Sequence, residues 1–158
     1  MTDLDRKFMT RAIELAKNGV ATNAGGPFGC VVVCNGEIVG EGNNRVTSTN
    51  DPTAHAEVVA IREACKTLKA FQLDGCTIYT SCEPCPMCLG AIYWARPERV
   101  FFACTRDDAA NIGFDDDFIY EELKKSNDDR EMVLRSLMRD EALELFNSWA
   151  AKTDKVEY

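Results

Sequence analysis

"CTIYTSCEPCPMCLGAIYWARPERVFFAC", residues 76–104, carries the alternation on which the fold turns. CTIYTS reads as a strand, CLGAIYWAR as a helix and RVFFAC as a second strand. Upstream, FGCVVVC and EIVGEG flank Asn35-Gly36, a dipeptide that accepts positive φ at both central positions of a tight hairpin turn, so two antiparallel strands are predicted there. TAHAEVVAIREACKTL has helical spacing in Val58, Ile61, Cys65 and Leu68. Residues 3–18 put Leu4, Phe8, Ala12, Leu15 and Ala16 on one helical stripe, with Gly19 as the expected stop. Toward the end, 118–125 reads as helix, 131–138 is ambiguous, and 141–152 forms an amphipathic helix around Leu143, Leu145, Phe146 and Trp149. A hairpin followed by helix and strand in alternation predicts an α/β fold, a three-layer αβα sandwich with a mixed central sheet. The 158 residues fit a single domain, 1–158, without repeat, linker or low-complexity tract.

Composition narrows the function. Hydrophobic residues at 46% and charged ones at 28% suit a soluble globular chain with a real core. The opening MTDLDRKFMTRAIELAKNGV alternates charge with apolar residues and lacks the basic start and apolar centre of a signal peptide. No later segment approaches a membrane span. The expected compartment is a reducing cytoplasm, with the eight cysteines free or on metal. The net charge of −8 comes from 26 acids against 18 bases, with no basic stripe to displace phosphate counterions. A small-molecule partner is expected, with neither nucleic acid nor membrane.

Cys82, Cys85 and Cys88 crowd into seven positions, which suits a redox dithiol, a structural metal knuckle or a catalytic metal. The single histidine, His55, discriminates between them. His55 and Glu57 open one predicted helix after Pro52, and Cys85 and Cys88 open another after Pro84. Residues two apart in a regular helix point about 200° apart, so His55 and Glu57 share a site only at a helix entry. His55, Cys85 and Cys88 then supply three zinc ligands and leave the fourth tetrahedral position to water. A closed site with Cys82 as fourth ligand and a thioredoxin-like dithiol stay open as alternatives, but both leave Glu57 without a role. Cys30, Cys34, Cys65, Cys76 and Cys104 read as small buried hydrophobes.

His-x-Glu followed by Pro-Cys-x-x-Cys is the zinc deaminase signature. Together with GGPFG at 25–29, NDPTAHAEV at 50–58, YTSCEPCPMCLGAIYWARP at 79–97, GFDD at 113–116 and a terminal Tyr158, it gives a chain that resembles the cytidine-deaminase-like superfamily nearly end to end. The closer resemblance is to the guanine deaminase branch. That resemblance implies one Zn2+ per chain and hydrolysis of guanine to xanthine and ammonia by a zinc-bound hydroxide, with Glu57 as proton shuttle. It implies that Asn44, Phe28, Ala54, Trp94, Asp116 and Tyr158 bind substrate, with Asp116 also helping to move a proton. It further implies a homodimer with exchange of C-terminal segments, the tail over 150–158 closing the active site. Guanosine, isocytosine, cytosine and triazine amines are alternative substrates. A transfer-RNA adenosine deaminase shares the metal motif but has to bind a polyanion, which the acidic balance opposes.

Overall fold

Asn35 and Gly36 adopt φ of 52° and 79°, closing the predicted hairpin between β1 (Gly29–Cys34) and β2 (Glu37–Asn43). This computed structural model describes residues 1–114 and 116–158; Asp115, in the GFDD string, lies outside them. Beyond the hairpin, β3 (Thr77–Cys82) pairs antiparallel with β1, and β4 (Arg99–Cys104) pairs parallel with β3. The four-stranded order is β2-β1-β3-β4. The sheet is therefore mixed, as the alternation predicted.

Side-chain alternation along β1 builds two cores. Cys30 and Val32 pack with Ala56, Ala60 and Ala64 of α3 (Ala56–Leu68) and with Ile92 and Ala95 of α4 (Pro86–Ala95). Val31 and Val33 face the other way, joining Tyr79 and the Phe8 ring of α1 (Asp3–Ala21). Helices cover both faces, which completes the three-layer sandwich. The alanine stripe of α3 brings its backbone close to the sheet. A Cβ on Gly42 of β2 would lie 2.3 Å from the Ala56 carbonyl oxygen, so the entry of α3 sits directly on the strand. This contact fixes the height of His55 and Glu57 above the sheet.

Two expectations need correction. Gly19 does not stop α1, which continues to Ala21. A Cβ there would come within 2.8 Å of the Asn43 amide nitrogen, so this glycine serves close packing, and its helix-propensity cost of about 1 kcal/mol is offset by burial. Cys104 is exposed, because β4 is an edge strand; Cys34 and Cys65 are half-buried, while Cys30 and Cys76 are buried as expected. Two short helices were not predicted, α2 (Val46–Thr49) and α5 (Arg106–Ala110).

The packing divides the chain into two compact units, Met1–Asp116 and Asp117–Tyr158. The second contains α6 (Asp117–Lys124) and α7 (Arg139–Ala151), neither with a buried residue, and the ambiguous 131–138 segment forms no helix or strand. Among the described residues, no helix is long and apolar enough to cross a membrane.

Candidate metal and active site

Both sequence motifs lie on helix entries. His55 is the N-cap of α3, with extended backbone at φ −69° and ψ 155°, and Glu57 lies in the first turn. One residue outside the helical twist and one inside it, the two side chains reach the same place. Cys85 is likewise the extended N-cap of α4, and Pro86 fills its first helical position, where a missing N–H costs nothing. Cys88, buried one turn further on, faces the same point.

The Sγ atoms of Cys85 and Cys88 lie 3.6 and 3.5 Å from His55 Nδ1. In a tetrahedral zinc site with Zn–S of about 2.3 Å and Zn–N of about 2.0–2.1 Å, a nitrogen and a sulfur ligand are roughly 3.5 Å apart. Both nitrogen–sulfur distances thus fit ligands of one tetrahedral zinc, and the three atoms lie within 4.8 Å of one another, so that a non-protein ligand would complete the coordination. Among the described residues they are the metal-competent group of three or more His, Cys, Asp and Glu side chains. The hydrogen bond from Cys88, assisted by His55, pulls the Cys85 thiol down to about 4 despite burial, while Cys85 and burial push Cys88 up.

Cys82 stands outside this group. It is buried, and its thiol donates to the Thr105 carbonyl at 3.5 Å. That arrangement opposes the closed four-ligand site. Cys82→Ser is expected to leave zinc stoichiometry at the wild-type value, measured by elemental analysis after dialysis; loss of the metal would make Cys82 a ligand.

Glu57 is 6% exposed. Its Oε1 accepts the Thr80 hydroxyl at 3.4 Å and its Oε2 accepts the Cys88 thiol at 3.3 Å. Burial pushes its carboxyl pKa above the ordinary range. A carboxylate moved toward neutrality in this way is suited to exchanging protons.

These groups open onto a cavity of about 440 Å³ lined also by Phe28, Asn44, Phe114 and Asp116. Asn44 is buried, and its Oδ1 accepts the backbone N–H groups of Gly26 and Val46, both at 3.2 Å. Two donors on Oδ1 fix the amide orientation, so a ligand meets the Nδ2 donor. Phe28 and Phe114 meet edge to face, ring centroids 4.8 Å apart, and form an apolar wall. The pKa of His55 is raised, first by its hydrogen bond to Cys85 and further by the charges of Glu57 and Asp116.

Asn44, Phe28, Glu57, Asp116 and the His55, Cys85 and Cys88 group are thus brought together. Ala54 is buried outside the cavity lining and its carbonyl accepts the Arg45 N–H at 2.9 Å. Trp94 is on α4, 63% exposed and outside the lining, and Tyr158 ends the second unit. Sequence reading missed Thr80 and Phe114. Only its place in the GFDD string marked Phe114, and nothing local marked Thr80.

An α/β sandwich with a zinc-shaped His-Cys-Cys face, an adjoining buried carboxylate and a cavity sized for a small molecule is the architecture of a zinc-dependent hydrolase of the deaminase class. The chain belongs to the family described as the cytidine and deoxycytidylate deaminase zinc-binding region, which its residues 2–104 match. It is 56% identical to a guanine deaminase of Bacillus subtilis over 96% of this chain and 97% of that protein. The crystal structure of guanine deaminase from Bacillus subtilis superposes with a TM-score of 0.94 at 55% identity, covering 97% of this chain and 98% of that one. A transfer-RNA-specific adenosine deaminase of Bacillus subtilis is 43% identical over 62% of this chain and 60% of that protein.

Proposed function

We propose that the protein hydrolyses guanine to xanthine and ammonia. The observation that carries this reading is the reach of the similarity: the guanine deaminase matches 96% of the chain, the transfer-RNA deaminase 62%. The net charge of −8 points the same way, away from a polyanionic substrate.

Zinc would be held by His55 Nδ1 and the Sγ atoms of Cys85 and Cys88, and bound there it supplies the Lewis acidity that makes water a nucleophile near neutral pH. Glu57 takes a proton from the water that attacks C2 and passes it to the adjacent ring nitrogen; it then takes the second proton, from the hydroxyl now on C2, and delivers it to the amine, so that the C–N bond breaks, ammonia leaves and C2 becomes a carbonyl. Thr80 holds Oε1 of Glu57 during these transfers. Asn44 donates from Nδ2 to an acceptor on the purine, and Asp116 accepts from a purine N–H or relays a proton. The Phe28–Phe114 wall packs the flat ring, and Ala54 shapes the turn that delivers His55.

Outside the cavity, Tyr93 and Trp94 of α4, 75% and 63% exposed, and Val100 and Phe102 of the edge strand β4 are exposed apolar side chains, which we read as part of the homodimer surface. A stacking role for Trp94 would then be exercised toward the partner. Sedimentation is expected to give a dimer at micromolar concentration; an active monomer would contradict this. The tail over 150–158 closes the pocket in this reading, so deleting Val156–Tyr158 should spare zinc and thermal stability but lower kcat or raise KM several-fold. Unchanged steady-state kinetics would remove Tyr158 from the site. The free thiols suit a cytoplasmic setting.

The deciding experiment is ammonia release by zinc-loaded protein from guanine, guanosine, adenine, adenosine, cytosine and cytidine. Guanine should be preferred. Faster turnover of an adenosine hairpin RNA would transfer the assignment to the transfer-RNA class.

A further inference from the structure

Cys34, Cys65 and Cys76 sit away from the metal thiols, on the α3 side of the sheet. The β1–β3 ladder pairs Val33 with Thr77, and one step further along this antiparallel register sets Cys34 opposite Cys76. The Cys76 N–H donates to the Leu73 carbonyl at 3.0 Å, and its carbonyl accepts the Glu98 N–H at 2.8 Å. Its backbone groups are thus engaged away from β1, which makes Cys34 and Cys76 a non-hydrogen-bonded cross-strand pair. At such positions facing Cα atoms are about 4.5 Å apart and side chains approach most closely. That distance is within the range of about 4.4–6.8 Å in which two cysteines bridge without backbone movement. Both side chains belong to the same face, since both pack in the core that holds Cys30 and Val32. Burial first, and then the neighbouring Cys34 thiol, push the Cys76 thiol up to about 12, and that thiol points to the Asp74 carbonyl at 3.8 Å. Cys76 is buried, whereas Cys34 is half-buried at the end of β1, open to a small oxidant.

We propose that Cys34 and Cys76 form a redox-modification site, a dithiol that hydrogen peroxide converts to a reversible cross-strand disulfide while the metal thiols are spared. The Cys34 thiolate attacks one peroxide oxygen, the O–O bond breaks, and the hydroxide released takes up a proton as water. Cys34 is then a sulfenic acid. The Cys76 sulfur attacks the Cys34 sulfur, the S–O bond breaks, and a second water leaves with the Cys76 proton. Two thiols have lost two electrons and two protons, and one peroxide has become two waters. The bridge would close at the end of β1 and β3 opposite the metal, because β3 runs from Thr77 toward Cys82 and the ligand Cys85. It would clamp the sheet across the segment that carries α3 without entering the cavity.

The test treats zinc-loaded full-length protein with a small molar excess of hydrogen peroxide, then reads intact mass, a non-reducing peptide map, zinc content and thermal unfolding. The expected product is lighter by two hydrogen atoms, linked between Cys34 and Cys76, still zinc-loaded, reversed by dithiothreitol, and raised in melting temperature by about 5 °C or more. Cys34→Ser should fold, retain activity and lose both the mass change and the thermal shift, while Cys65→Ser should keep both. A bridge to Cys65, or sulfinic acid on Cys34 without a bridge, would overturn the proposal.

Discussion

Glu57→Gln is expected to lower guanine turnover by about 10³-fold or more while leaving zinc content and thermal stability near wild type. Positioned acid–base catalysis is commonly worth about 10²- to 10⁴-fold, and in the proposed reaction one carboxylate serves both proton transfers. The loss therefore belongs at the upper end. The fold should tolerate the change because Gln is isosteric and its amide oxygen still accepts the Thr80 hydroxyl, now at 3.4 Å from Oε1. Burial already disfavours the ionised carboxylate, so a neutral side chain places no new demand on the core. Nor is Glu57 one of the three clustered ligands. Ammonia release, elemental analysis and a melting curve on one preparation decide the matter. Survival of more than about a tenth of the turnover would show that another group carries the proton, since even modest general-base catalysis exceeds tenfold.

The metal-centred half of this site was legible in the sequence because its signals are local. His55 and Cys85 each announce a helix entry, through Pro52 upstream of one and Pro84 and Pro86 around the other, and the ligand spacing follows from those entries. The hairpin was legible for a similar reason, in the positive φ that Asn35-Gly36 accepts. What escaped reading depends on residues distant in the chain. Gly19 looks like a helix stop until Asn43 is packed against it, and Cys104 looks buried until β4 is known to be the sheet edge. Thr80 is one more polar residue in a strand until β3 is laid beneath the start of α3, where its hydroxyl meets Glu57.

Asn44→Asp should lower kcat/KM for guanine by about 100-fold or more and leave the fold and zinc intact. The two side chains have the same shape. An aspartate oxygen can accept the Gly26 and Val46 N–H groups that Asn44 Oδ1 now accepts at 3.2 Å, so the turn that shapes this wall keeps its partners. The difference is confined to the atom facing the ligand, where a donor nitrogen becomes an acceptor oxygen bearing charge. If Nδ2 donates to the purine, that bond is replaced by the opposition of two acceptors in a buried place, and an uncompensated buried polar group costs about 1–3 kcal/mol, more when charged. A hundredfold loss corresponds to about 2.7 kcal/mol, within that range. Asn44→Ala is the less informative variant, because it also strips Gly26 and Val46 of their acceptor and mixes loop disorder with lost recognition. The pair separates the two roles: Asn44→Asp should melt close to wild type and fail in kinetics, whereas Asn44→Ala should lose both stability and activity. Wild-type kinetics for Asn44→Asp would show that Asn44 only holds the turn, and recognition of the base would then rest on Asp116 and the aromatic wall.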